Sequence, residues 1–150
     1  MGKLNPLYES HIGKVEVSFC LSAPHLGTSE LSDLLKILPD SYAKRGDKRK
    51  NRQGLDVPGV EEKGYWILSS KGRINSKDIN DHFGILFHYL LPVRHEICNF
   101  LKSSDSEAYF DVFWESSYLY AGTGPILSDE TVKNVSELNA SIAFDIYQID

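Results

Sequence analysis

Residues 15–38 read VEVSFCLSAPHLGTSELSDLLKIL. The period changes inside this stretch, and the change decides the fold class. Up to Leu21 the residues alternate, with Val15, Val17, Phe19 and Leu21 on one side and Glu16, Ser18 and Cys20 on the other. Period two with β-branched and aromatic residues predicts a half-buried strand. Pro24 and Gly27 mark a turn. From Thr28 the spacing lengthens, and Leu31, Leu34, Leu35 and Leu38 form one helical apolar stripe. The Thr28 hydroxyl is suited to accept from an open first-turn amide, and Glu30 lies near the positive end of the helix dipole. Pro39 is expected to stop the helix, because it lacks an N–H and its ring collides with the preceding turn.

The same alternation of periods runs outward along the chain. Tyr65 to Ser70 reads as a second strand. Ile79, Phe83, Leu86, Leu90, Val93, Ile97 and Leu101 step by three and four, which predicts one long helix over residues 76–102, kinked or divided at Pro92. A third strand runs from Tyr109 to Ser116. Phe110, Val112 and Trp114 take one side; Tyr109, Asp111, Phe113 and Glu115 take the other. Tyr118 to Pro125 reads as a loop punctuated by glycine. Ser128 is placed to cap a short helix with Asp129 and Glu130 in its first turn and Val132, Val135 and Leu138 as its apolar side. The last strand runs from Ile142 to Ile149, with Ile142, Phe144 and Ile146 opposite Ala143, Asp145 and Tyr147.

The order is strand, helix, strand, long helix, strand, helix, strand. This predicts an α+β fold of two ferredoxin-like split βαβ halves around a long kinked helix. Helices then cover one face of a largely antiparallel sheet, and the other face stays partly solvated. Asp111, Phe113, Glu115, Asp145 and Tyr147 fall on that open face, and Trp66 joins them as a candidate binding residue.

A chain of 150 residues matches one domain, here 1–150 with a leader at 1–11 and a long loop at 40–63. The apolar fraction of 41% suffices for a core without crosslinks. Cys20 and Cys98 sit far apart in apolar segments, so they read as reduced thiols rather than a disulfide framework. No signal-peptide pattern or apolar span is present, and Pro6 stands where a myristoylation motif wants Ser or Thr, so a cytoplasmic location is expected.

Chemistry-bearing patterns are sparse. His95 and Cys98 share a helical spacing, but Asn99 stands where a zinc-protease motif would place its second histidine, and His88 lies a heptad back. No G-x-S-x-G elbow occurs. Gly122-Thr123-Gly124 is too short for a phosphate loop. Asp111 and Asp145 would approach each other on neighbouring strands, where two acids on a solvated sheet face outweigh an acid–base pair. No metal, cofactor or catalytic residue is assigned.

The charge is uneven. The net charge is −5, yet Lys44, Arg45, Lys48, Arg49, Lys50 and Arg52 crowd nine positions against Asp47 alone. The acidic balance disfavours a duplex binder, and the basic run lacks the interleaved aromatics that single strands stack on. A mobile cationic loop can still grip phosphates or an acidic partner.

Taken in order, several segments resemble the bacterial domain-of-unknown-function 4279 family. They are Val17-Ser18-Phe19-Cys20-Leu21, the Leu-rich helix from Thr28, and the Arg45-Gly46 loop leading to Gly64-Tyr65-Trp66-Ile67-Leu68. The long helix to Leu91-Pro92, Ile126-Leu127-Ser128 and Phe144-Asp145-Ile146-Tyr147 complete the set. The resemblance covers about residues 12–149. It implies a small bacterial α+β protein and carries no accepted activity, so no catalytic residue transfers. The function expected is therefore non-enzymatic protein binding, in its most concrete form an immunity protein that neutralises a basic toxin. The alternatives are a nucleic-acid or acidic-ligand binder using residues 44–52, and an enzyme of unrecognised type.

Overall fold

The computed structural model describes residues 12–51, 53–102, 105–117 and 124–149. The leader, Arg52, and Tyr118 to Thr123 with two residues of the Gly-Thr-Gly turn lie outside them. The strands are β1 (Ile12–Ala23), β2 (Ser41–Ala43), β3 (Lys48–Lys50), β4 (Asp56–Val60), β5 (Gly64–Ser69), β6 (Glu107–Ser117) and β7 (Ser141–Ile149). The helices are α1 (Thr28–Leu35), α2 (Ile79–Leu90), α3 (Arg94–Phe100) and α4 (Asp129–Glu137), with a 3-10 turn at Leu91–Val93 between α2 and α3. The fold is α+β. Its main sheet has five strands in the order β2-β5-β1-β6-β7, antiparallel except for the β6–β7 pair.

The ferredoxin-like halves do not form as drawn from the sequence. β1 and β5 are adjacent and antiparallel, whereas a split βαβ unit would set them parallel and apart. β6 and β7 are direct parallel neighbours with no strand between them. The registers pair the strands differently. β2 runs with β1 across β5, linked through α1, and β5 runs with β6 across β1, linked through the long helix. These two units interleave, and α4 then adds β7 at the edge as an ordinary crossover.

The misreading traces to residues 40–63. They carry no sustained period, yet β2 forms the sheet edge there and β3 and β4 make a separate two-stranded ribbon. Turn chemistry rather than alternation holds the ribbon. The Asn51 carboxamide oxygen accepts from the Gln53 and Leu55 amides at 3.0 Å each. Gly54 takes φ +83°, a conformation that suits a residue without Cβ. At the ribbon base Glu61 N–H donates to Asp47 O, and Gly46 N–H to Glu61 O, both at 2.8 Å.

One face of the sheet is dry. Val17, Phe19 and Leu21 of β1, Trp66 and Leu68 of β5, and Phe110, Val112 and Trp114 of β6 are buried against Leu31, Leu35, Phe83, Leu86, Leu90, Ile97, Val135 and Leu138 of the helices and the residue after α4. Pro92 divides the long helix, as its missing N–H requires, and the 3-10 turn absorbs the break. Gly64 marks the closest approach of a loop, since a Cβ there would stand 2.9 Å from the Leu26 carbonyl oxygen.

Three helix details differ from expectation. Helix α1 starts with Gly27 at its cap and ends at Leu35, where Lys36 turns left-handed at φ 58°. Leu38 therefore leaves the stripe and is exposed, and Leu34, still within the helix, is half exposed. In α4 the Ser128 hydroxyl accepts from the Thr131 amide as expected, but Thr131, not Val132, faces inward with Val135.

Candidate functional site

Residues directly opposed across paired strands point to the same face of a sheet. The registers therefore place the open-face residues in rows. Ser22 stands between Tyr65 and Glu107; Cys20 between Ile67 and Tyr109; Ser18 between Ser69 and Asp111. Glu16, Phe113 and Asp145 form the next row, and Glu115 and Tyr147 the one after. Asp111 and Asp145 are thus on neighbouring strands, offset by one row. Five carboxylates lie on this face: Glu16, Glu107, Asp111, Glu115 and Asp145. Lys14 answers them, with its ammonium 3.3 Å from Glu16 and 5.7 Å from the centre of the Phe113 ring. Lys63 reaches Glu107 at the margin, at 4.0 Å.

The aromatic part is built around β6 and β7. Phe113 and Tyr147 stack with ring centres 5.2 Å apart. Phe113 is nearly covered by its neighbours, while Tyr147 stays about half exposed. Trp66 does not belong here. It sits on the helix face with no exposure, and its indole N–H donates to the Ser32 hydroxyl at 3.3 Å. The alternation of β5 forces this, because Trp66 shares parity with Leu68 and both face the core. The binding set therefore loses Trp66, and Glu16 and Glu107 enter it.

Deeper on the face, Cys20 and Tyr109 are side by side. Burial pushes the Cys20 thiol up to about 11, with its hydrogen bond to Tyr109 acting the other way. Burial also pushes the Tyr109 hydroxyl up, and a thiolate at Cys20 would add to that. A thiol kept protonated is a poor nucleophile. The folded value lies above the unfolded 9.0, so the stabilisation is complete below pH 9 and disappears as pH rises through about 11. Urea midpoints measured across that window should fall more steeply for the wild type than for Cys20→Ala; parallel slopes would show that Cys20 is not coupled to folding. Cys98, half-buried on α3, accepts from Asn139 Nδ2 at 3.4 Å.

His82 was not legible as a polar anchor. It is buried on α2, with Nδ1 2.7 Å from the Ser70 hydroxyl and Nε2 2.6 Å from the Ser76 carbonyl. The Ser70 oxygen accepts the Val17 amide at 3.0 Å, so its own proton points to Nδ1 and the imidazole donates from Nε2. The arrangement ties β1 to α2. Ser70 has no exposure and His82 almost none. His82→Ala should cost about 2 kcal/mol in chemical denaturation, because it strands buried polar partners. The clue in the sequence was its spacing from Ile79 and Leu86, which puts a histidine in the apolar stripe. His88 and His95 are exposed. Among the described residues no three His, Cys, Asp or Glu side chains converge to hold a metal.

The ribbon is a two-stranded sheet separate from the main one. It follows β2 at one edge of the sheet, while β7 forms the other. Lys44, Arg45, Lys48, Arg49 and Lys50 are exposed, but Lys50 stands opposite Asp56, and the Lys44 amide is engaged by the Asp47 carboxylate at 2.8 Å. Two shallow clefts lie elsewhere. One, of about 380 Å³, is lined by Cys98, Lys102, Glu107 and Asn139; the other, of about 330 Å³, by Lys14, Glu16, Lys71, Lys77 and His82. Neither takes in His88, His95 or Asp111. No helix among the described residues is long and apolar enough to cross a membrane.

An α+β domain with an acidic, partly aromatic sheet face on the side away from its helices is the class that fold and site define. The model of the domain of unknown function DUF4279 matches residues 13–149, and the chain belongs to that family. Neither the curated proteins nor the solved structures contain a match.

Proposed function

We propose that this chain is a non-enzymatic protein-binding domain of bacterial type, an immunity protein that neutralises a basic toxin. The observation that carries the reading is the row structure of the sheet face away from the helices: Glu16, Asp111, Glu115 and Asp145, from three strands, lie in the row of the Phe113–Tyr147 stack or the rows next to it, with Glu107 farther along β6. Such a face attracts a cationic surface at long range and offers flat aromatic area for contact at short range. Two unpaired thiols suit a reducing cytoplasm. Immobilised chain should retain a basic protein from the native host at low salt and release it as salt rises. Failure to retain any partner, or retention of an acidic one, would sink the reading.

The ordered ribbon favours a second reading, in which its cations grip a nucleic-acid backbone or another acidic ligand. Five exposed cations on a preformed hairpin support it, and the Lys50–Asp56 pairing weakens it. Neutralising those cations together with Arg52 should then abolish nucleic-acid retention and flatten its salt dependence; unchanged retention dismisses it.

A further inference from the structure

Edge strands expose unpaired N–H and C=O groups, and proteins blunt them with short length, lysine, proline or bulges. At one edge β2 is three residues long. At the other, β7 runs for nine residues with no lysine, no proline and an unbroken register from Ser141 to Ile149. Among the described residues no strand pairs with its outer side. Phe144 and Ile146 on its helix side are 48% and 51% exposed.

The sequence of β7 specifies what covers that edge. Its helix-side row reads Ile142, Phe144, Ile146 and ends on Gln148, and the three apolar members read the same in both directions. An antiparallel second copy centred on Phe144 therefore sets Phe144 against Phe144 and Ile142 against Ile146. On the open side it sets Ala143 against Asp145 and Ser141 against Tyr147, so no like charges face each other directly. Centring the pair on Asp145 would oppose two carboxylates and put Ile142 against Gln148. We infer that β7 pairs antiparallel with β7 of a second copy about a two-fold axis at Phe144, joining two five-stranded sheets into one. The contact uses the edge and does not cover the acidic face of either copy, so either reading can fail without the other.

A single strand pair buries less than the roughly 800 Å² per partner of a standard interface, so the dimer is a concentration-dependent one. Sedimentation equilibrium over a series from low micromolar to several hundred micromolar should show the mass rising from 16.9 kDa toward twice that value. Phe144→Lys and Phe144→Glu each place like charges face to face on the axis, and each should weaken association by roughly ten-fold or more. An equimolar mixture of the two should restore it, because lysine then faces glutamate. That recovery also proves both variants folded. A wild type that stays at 16.9 kDa throughout overturns the inference. So does association that neither variant weakens, or a mixture that remains monomeric.

Discussion

Phe110→Ala should remove about 3–5 kcal/mol of folding stability. The ring lies on β6 at the centre of the dry face, without exposure. Its centre is 5.0 Å from Phe19, 5.1 Å from Phe83 and 5.7 Å from Phe87. Truncation loses the transfer free energy of the ring and breaks three aromatic contacts, each contributing about 0.5–1.5 kcal/mol beyond area. The cavity cannot close easily, because its walls are rings fixed on β1 and α2. A domain of this size holds only about 5–15 kcal/mol in all, so the variant should sit close to unfolding at physiological temperature. Urea denaturation with an unchanged slope is the measurement. A loss under about 1 kcal/mol would mean that the sheet and long helix do not pack through this ring.

Burial side and element type were legible where one period ran long enough. The alternation in β1 and β6 placed Val17, Phe19, Phe110 and Trp114 inward and Asp111 and Glu115 outward, as observed. The interruption at Pro92 was legible because proline acts locally. Strand pairing was not legible, since β2 is three residues of Ser41, Tyr42 and Ala43 with no pattern to show. Missing that one strand shifted the partners of β1 and redrew both halves of the fold. Trp66 was misplaced for a related reason. A tryptophan in a short strand reads as a surface anchor until parity with Leu68 is used to fix its side. The role of His82 is not legible in the sequence, because it depends on Ser70 and Ser76, which only the tertiary fold brings to it. On the candidate face, the alternation assigned the acids and rings of β6 and β7 to one side of the sheet, and the register adds Glu16 and Glu107 to it.

The double substitution Asp111→Lys with Asp145→Lys carries the other large effect. Each replacement turns a negative charge into a positive one beside the Phe113–Tyr147 stack, leaving the face with two lysines among Glu16, Glu107 and Glu115. Both positions are partly exposed, and the urea midpoint of the doubly substituted chain separates a loss of binding from a loss of fold. Against a basic protein captured by the native chain, affinity should fall roughly 100-fold, first through a slower association rate whose dependence on salt is lost. Direct titration of native and doubly substituted chains with that partner is the decisive measurement. A roughly 100-fold loss with the midpoint intact is the result expected of an acidic docking face, and equal affinity for the two chains would contradict it.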